Sequence, residues 1–360
     1  MKILILKFRN IGDVLLITPL LSNLRQYYPK SQIDVAVNKG TEPMVSLNPN
    51  INKLIIYDRD YIKSLPAIKR ILKEIQFSFS FRKERYDMVI NLTEGDRGAQ
   101  IALVSGAPIR IGHLNNNRIF KSAFTYYLLK QDFRHTLETN LDPLRILDIP
   151  IKSKRVEIFW NKEDEEFVNN KLPDVDNFIH IHPVSRWLFK CINDQIMAKI
   201  IDYCEMELDT KVVITAAPIQ AELNKVGSIV ALCKSSPIHL SGKLSLKQTA
   251  SLNKRAKLFV GVDTAIMHIS AANDTPVLAF FGPSGTDHWG PWDNHLMQSS
   301  YTKRNGLQCM GQHRVIAESR ECQPCGQDGC NGTKVSDCLM SLDVNIIKEN
   351  IREILNKYDD

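Results

Sequence analysis

The sequence lacks long hydrophobic runs. No stretch of about 18 consecutive apolar residues occurs in the chain, so we expect no helix that crosses a bilayer. The N-terminal apolar run is broken at Lys7 and Arg9, and no small-residue cleavage site follows it, which argues against a secretory signal. We therefore expect a cytoplasmic protein.

The chain also lacks a strong charge bias, internal repeats and low-complexity segments. Its 46 Lys and Arg residues exceed its 40 Asp and Glu residues by only 6. This mild excess fits an anionic partner such as a phosphorylated glycolipid, a membrane surface or a nucleic acid, and identifies none of them. Because 360 residues exceed one ordinary hydrophobic core, we expect two domains.

Short apolar runs alternate with helical segments in both halves of the chain. In the first half such runs occupy residues 1–8, 33–37, 53–57 and 87–92; a second series begins at Phe178. Apolar runs without polar alternation are typical of strands buried on both faces of a parallel sheet. The pattern predicts an α/β protein with two doubly wound, Rossmann-like domains.

The predicted domain boundary lies near residue 160 of the sequence. Residues 151–177 contain a charged helical segment between Pro150 and Pro173, which we interpret as the linker region. We expect an N-terminal domain at 1–160 and a C-terminal domain at 161–340. The segment 341–360 forms an amphipathic helix that is expected to return to the first domain.

Residues 259–283 form the most informative stretch: FVGVDTAIMHISAANDTPVLAFFGP. It reads as strand, turn, helix and strand. The turn places backbone N–H groups at a helix N-terminus, which is a site for phosphate. From the residues alone, a helix cap is an equally good interpretation of the polar turn.

Four segments, in order, carry a resemblance to a known family. They are FRNIGDVLLITPLL, IHPVSRWLFKC, HLSGKLSLKQTASLNKRAKLFVGVD and GVDTAIMHISAANDTPVLAFFGPSGTDHWGPW. Together they resemble glycosyltransferase family 9, the ADP-heptose–lipopolysaccharide heptosyltransferases, and in detail its heptosyltransferase III branch. The resemblance implies a GT-B architecture, in which two Rossmann-like domains face each other across a cleft.

Asp13 is the candidate catalytic base. By itself, a Gly-Asp pair before an apolar helix is typical of an N-cap. The family's motif places its proposed catalytic aspartate in this pair, which implies that Asp13 takes the proton of the acceptor hydroxyl.

The candidate donor-binding residues lie in the second half. A cation after the strand FIHIHP can neutralise a diphosphate leaving group, and the resemblance assigns the phosphate to Ser185 and Lys190. From the residues alone, a solvated loop lysine is the alternative at Lys190. A carboxylate at Glu222 can bind ribose hydroxyls, although a water-facing glutamate is the alternative from the residues alone.

The turn at 263–268 completes the predicted donor site. The resemblance assigns sugar hydroxyls to Asp263, and the N–H groups of Thr264 and Ala265 are placed for the diphosphate. His268 either contacts phosphate or forms a hydrogen bond inside the core.

Basic residues are dense between Arg59 and Arg85, and apolar residues are interleaved with them. Such a run is usually a solvated face. The family resemblance implies that this half binds the acceptor, so we predict acceptor contacts at Arg59, Lys63, Lys69 and Arg70. The segment is partly amphipathic and suits a membrane surface. We expect a peripheral location on the inner face of the inner membrane.

Five of the eight cysteines lie between Cys309 and Cys338. In a reducing cytoplasm, a CxxC pair followed by two more cysteines favours metal over a disulfide. The candidate structural zinc ligands are Cys322, Cys325, Cys330 and Cys338, although their spacing matches no standard zinc ribbon. An oxidised pair or reduced thiols are the alternatives.

The resemblance implies an inverting, metal-independent enzyme of lipopolysaccharide core biosynthesis. Its donor substrate would be ADP-L-glycero-D-manno-heptose, with no required cofactor, and its acceptor a heptose of the inner core. One alternative is the same fold with another nucleotide sugar or acceptor. A second is a non-enzymatic nucleic-acid-binding protein, against which the basic run has few aromatic residues for base stacking.

Overall fold

The computed structural model describes residues 1–115, 117–129 and 131–359. The chain divides into two compact units, Met1–Phe159 and Trp160–Asp360, and Asp360 itself lies outside the described residues.

The first unit is built on a parallel sheet. Its described strands are β1 (Lys2–Lys7), β2 (Gln32–Asn38), β3 (Lys53–Tyr57), β4 (Met88–Asn91), β5 (Ile109–His113) and β6 (Tyr126–Leu128). They pair in the order β3-β2-β1-β4-β5-β6. The helices around them are α1 (Ile11–Leu15), α2 (Thr18–Tyr27), α3 (Arg59–Ser64), α4 (Ala67–Lys83), α5 (Asp96–Ser105), α6 (Thr136–Asn140) and α7 (Asp142–Ile146).

The second unit repeats this plan and adds an antiparallel edge. Its described strands are β7 (Phe178–His182), β8 (Lys211–Ile214), β9 (Ile238–His239), β10 (Leu258–Val262), β11 (Val277–Phe281), β12 (Gly306–Met310) and β13 (His313–Ala317). Their order is β12-β13-β11-β10-β7-β8-β9. Only the edge pair β12/β13 is antiparallel among these pairings. Its helices are α8 (Lys162–Lys171), α9 (Asp194–Asp202), α10 (Gln220–Val230), α11 (Leu246–Lys254), α12 (Ala265–Ala272), α13 (Thr286–Trp289) and α14 (Val344–Asp359).

The central strands have no water-facing side. Every residue of β4, β7, β10 and β11 is buried, as expected for strands covered by helices on both faces. The predicted α/β class with two Rossmann-like domains is confirmed.

The first predicted helix is interrupted. The apolar pattern over residues 14–27 predicts one helix, but α1 ends at Leu15 and α2 starts at Thr18 with Pro19 in its first turn. Proline has no N–H to donate to the carbonyl of Leu15. The Thr18 hydroxyl donates to that carbonyl instead, at 3.0 Å.

The terminal helix packs in the second unit. Ile347, Ile351 and Ile354 of α14 are buried in the same apolar cluster as Ile200 and Tyr203. We expected this helix to return to the first domain, but its apolar face packs in the core of the second unit. The charged helix of the linker region, α8, likewise buries Val168 in the second unit.

Candidate functional site

Each sheet has a point where the strand order reverses. In the first unit β1 lies between β2 and β4, and in the second unit β7 lies between β8 and β10. In open α/β sheets, ligands bind outside the carboxyl ends of strands at such points. The predicted catalytic and donor-binding residues follow these strands.

Asp13 lies just after β1, in the first turn of α1. The helix begins after Asn10, so Asp13 is not its N-cap. Its side chain is 12% exposed, and its Oδ1 is 3.9 Å from Nζ of Lys7. The carboxylate is thus held beside a buried cation.

Lys7 was not among the predicted site residues. Its side chain is buried at the end of β1, and its ammonium donates to Oδ1 of Asn140 at 3.0 Å and to the carbonyl of Leu92 at 3.3 Å. Burial lowers the pKa of Lys7 to about 8, an effect that the charge of Asp13 partly offsets. A lysine that ends an apolar strand is the signal that would have revealed it.

Asn140 ties this site to α6. Its Nδ2 donates to the carbonyl of Leu16 at 3.0 Å, so the residue bridges Lys7 and the end of α1. The preceding Glu138 pairs with Lys154 and Arg145, which anchors the helix that carries Asn140. Helix α6 therefore positions Lys7 and the end of α1 through Asn140.

A cavity of about 390 Å³ opens next to the Asp13 turn. Its lining includes Arg9, Asn10, Arg59, Glu94 and Arg97. Of the four predicted acceptor-binding residues, Arg59 lines this cavity. Lys63, Lys69 and Arg70 lie outside its lining, on the exposed surface of α3 and α4.

The loop after β4, which forms one wall of this cavity, is held by Asn91. Its side chain donates to the carbonyl of Thr93 at 2.8 Å and accepts from the N–H of Thr93 at 3.2 Å. Gly98 of α5 lies against the same amide: a Cβ there would be 2.2 Å from Oδ1 of Asn91. A side chain at residue 98 would thus displace the loop.

In the second unit, Lys190 and Asp263 form an ion pair. The Nζ of Lys190 is 2.6 Å from Oδ2 of Asp263, and the two side chains are 22% and 10% exposed. They follow the neighbouring strands β7 and β10. At Gly261, a Cβ would be 2.6 Å from the carbonyl oxygen of His182, so only glycine fits this close approach of the two strands.

The turn after β10 gathers the remaining residues of this stretch. Thr264 caps α12 through its extended backbone, and its buried Oγ1 has no hydrogen-bond partner in the described part of the chain. Ala265 starts the helix, and its N-terminus offers N–H groups to an anion. His268 is buried one turn further on, and Ser185 is buried after β7.

Glu222 faces inward. It is buried in the first turn of α10 and accepts a hydrogen bond from the N–H of Ala217 at 3.0 Å. Burial raises its pKa, and the bond from Ala217 partly offsets this. The alternative of a water-facing glutamate is therefore wrong.

Beneath this site lies a buried polar network that sequence reasoning missed. Thr215 Oγ1 bonds to Nε2 of His180 at 2.7 Å and to Nδ1 of His182 at 2.9 Å. Nδ2 of Asn253 and Nδ1 of His180 are hydrogen-bonded at 2.8 Å. Burial lowers the pKa of His182 to about 4 and that of His180 well below its usual value, so both rings are neutral at pH 7.

The cysteine segment does not form a recognisable metal centre. Among residues 1–115, 117–129 and 131–359, no group of three or more His, Cys, Asp or Glu side chains is arranged to hold a metal ion. Cys338 is buried, Cys330 is half-buried, and Cys322 and Cys325 are exposed; all four are free thiols. Burial raises the pKa of the Cys338 thiol to about 11.

Solved structures share this fold over the whole chain. The glycosyl transferase family 9 protein of Veillonella parvula DSM 2008 superposes with a TM-score of 0.81 at 22% identity, covering 99% of this chain and 97% of the other. The E. coli heptosyltransferase WaaC, solved with ADP, superposes with a TM-score of 0.73 at 17% identity, covering 98% and 100%. The two Rossmann-like units are thus those of a GT-B protein.

Sequence comparison narrows this class to one family. The family model of glycosyltransferase family 9 (heptosyltransferase) matches residues 75–318. Lipopolysaccharide heptosyltransferase 3 of Escherichia coli K12 is 35% identical over 298 residues, which cover 80% of this chain and 84% of that protein. The chain belongs to glycosyltransferase family 9, as its motifs predicted.

No helix in the described ranges is both long enough and apolar enough to cross a membrane.

Proposed function

We propose that the protein transfers heptose from ADP-L-glycero-D-manno-heptose to a heptose in the inner core of lipopolysaccharide, at the cytoplasmic face of the inner membrane. The 35% identity to lipopolysaccharide heptosyltransferase 3 carries this proposal. The Lys190–Asp263 pair at the strand-order reversal supports it, because a cation beside a helix N-terminus suits a diphosphate.

In the proposed reaction, the acceptor hydroxyl oxygen bonds to the anomeric carbon while the bond from that carbon to the diphosphate breaks. Asp13 takes the hydroxyl proton. Lys190 and the N–H groups at the start of α12 stabilise the charge that develops on ADP. A single displacement of this kind inverts the anomeric configuration.

The donor also needs residues that recognise its hydroxyls. We assign the ribose hydroxyls to Glu222 and the sugar hydroxyls to Asp263. Ser185, Thr264, Ala265 and His268 are assigned to the diphosphate side of the donor. The acceptor is assigned to Arg59 and to the exposed Lys63, Lys69 and Arg70, whose charges suit core phosphate.

The test is ADP release from ADP-heptose with a heptose-containing core acceptor, with and without EDTA. Acceptor-dependent release that survives EDTA, with an inverted anomeric centre by NMR, is the expected result. ADP release that depends on added metal would overturn the metal-independent scheme. Thermal protection by a uridine or guanosine sugar, and not by ADP-heptose, would instead identify another donor.

A further inference from the structure

Helix α4 exposes a stripe of large apolar side chains. Ile68 is 75% exposed, Ile71 55%, Leu72 60%, Ile75 42% and Phe79 53%. We call these five residues the apolar stripe. A run of exposed side chains of this size on one helix marks an interaction surface.

The stripe is separate from the face that holds the helix on its unit. At 3.6 residues per turn, its five positions fall within an arc of about 100°. Phe77 and Phe81 pack with the core cluster on the opposite side of the helix, and the buried Ser78 lies at the edge of the stripe beside Ile71. Ile62 and Phe77 are among the apolar residues interleaved in the basic run, but both pack in the interior of the unit.

Lys69, Lys73 and Lys83 of the helix border one side of this stripe. Helix α4 carries five basic residues and a single acidic one, Glu74. The Glu74 carboxylate forms an ion pair with Arg97 at 3.0 Å and accepts a hydrogen bond from the hydroxyl of Tyr57. Four exposed lysines on α3 and α4 form no ion pair among the described residues: Lys63, Lys69, Lys73 and Lys83.

The acidic groups near this surface do not cancel its charge. Asp58 pairs with Lys39 at 2.6 Å, and Glu84 pairs with Lys53 at 2.7 Å and with Lys2. Asp60 of α3 is the exposed carboxylate that remains close to the surface.

We propose that the apolar stripe and its lysine rim form a surface that docks onto an anionic phospholipid bilayer. An exposed apolar helix face with basic flanks is attracted to anionic headgroups and inserts its apolar side chains at their boundary. A second copy of this chain is a poorer occupant, because a two-fold contact would place one lysine rim against another.

The docked helix adjoins the candidate acceptor site. Glu74 of α4 holds Arg97, and Arg97 and Arg59 line the cavity beside the Asp13 turn. Docking through α4 would therefore keep this cavity near the membrane surface. This step rests on the proposed function, since it assumes an acceptor that is anchored in the bilayer.

The experiment is co-sedimentation of the purified full chain with vesicles. One set is phosphatidylcholine, and the other is an equimolar mixture of phosphatidylcholine and phosphatidylglycerol. We expect binding to the anionic vesicles that weakens with salt. The variant Ile68→Asn/Leu72→Asn should lower the vesicle partition coefficient about tenfold or more, because two large apolar side chains no longer insert.

Two further variants separate the contributions. Lys73→Glu/Lys83→Glu should weaken binding to anionic vesicles and remove most of its salt dependence. The matched control, Met206→Asn/Leu232→Asn, changes two residues of the second unit that are 62% and 48% exposed, and should bind like the unaltered protein.

Three results would overturn the inference: no binding to anionic vesicles, equal binding by the stripe variant, or a concentration-dependent dimer that the stripe variant abolishes while vesicles bind neither protein. The vesicles contain no lipopolysaccharide, and ADP release is not the readout. An error in the proposed donor or acceptor would therefore leave the vesicle result unchanged.

Discussion

Lys190 and Asp263 join the segments that follow two neighbouring strands of the second sheet, with Nζ and Oδ2 2.6 Å apart. Both residues were predicted to bind the donor, and the fold brings them into contact across 73 positions of sequence.

Replacement of Lys190 tests the diphosphate role. Lys190→Ala should lower kcat/KM for ADP-heptose about 10²–10³-fold, because a preorganised positive charge no longer stabilises the departing ADP. Lys190→Arg keeps the charge and should lose less. The free energy of unfolding should fall by about 1–3 kcal/mol, because Lys190→Ala leaves the nearly buried Asp263 carboxylate without its ion-pair partner. Lys199→Ala, an exposed lysine of α9, is the control, and an equal rate in both alanine variants would contradict the assignment.

Replacement of Asp13 tests the base. Asp13→Asn keeps the shape and removes the proton acceptor, so kcat should fall about 10²–10⁴-fold with little change in affinity for ADP. Initial rates of ADP release and calorimetric ADP binding measure the two effects. Asp148→Asn, an exposed aspartate of the same unit, should leave both unchanged. A near-normal kcat for Asp13→Asn would remove this residue from the mechanism.

The lowered pKa of Lys7 predicts a basic limb in the pH–rate profile. The ordinary lysine pKa is 10.5, and in this fold it is about 8. As pH rises through about 8, Lys7 loses its charge and its attraction to Asp13, so kcat/KM should decline. Lys7→Met should be slower below pH 8 and should lack that decline, whereas the exposed Lys30→Met should keep the normal profile. An unaltered basic limb in Lys7→Met would contradict the role.

Glu222 should determine affinity for the nucleotide. Glu222→Gln removes the charge that we assign to the ribose hydroxyls and weakens the bond from Ala217, so the dissociation constant of ADP should rise about 10- to 100-fold. Calorimetric titration measures it, with the exposed Glu349→Gln of α14 as control. Unchanged affinity would return Glu222 to a purely structural role in its loop.

The neutral histidines predict acid sensitivity. The pKa of His182 is about 4 in the fold against an ordinary 6.5. Between these values the unfolded chain binds more protons, so stability rises with pH and is lost as pH falls from 6.5 to 4. Over this pH range, the protonation of His182 alone should lower the free energy of unfolding by about 3 kcal/mol.

Urea denaturation followed by tryptophan fluorescence measures this effect in the second unit, because all four tryptophans lie in residues 160–292. His182→Gln should flatten the pH dependence between 6.5 and 4. An unchanged slope in that variant would assign the acid sensitivity to other groups, such as His180 and His313, whose pKa values are also lowered by burial.

Local sequence predicted most of the elements and missed others. Uninterrupted apolar runs predicted the buried strands, because such strands have no polar face in a parallel sheet. The antiparallel pair β12/β13 was missed, although Gly311 with φ of +57° marks its turn. The interruption at Pro19 was also missed, because the apolar pattern continues through a break in the helix.

The sequence by itself determined the fold class, the family and the positions of Asp13, Lys190 and Asp263, because short motifs and the apolar pattern are local properties of the chain. Tertiary structure alone decided that Lys7 and Asn140 support Asp13, that Glu222 turns inward, and that α4 leaves its apolar stripe in water. These outcomes depend on which elements pack together, and burial, distance and charge pairing between distant residues are not written in their local sequence.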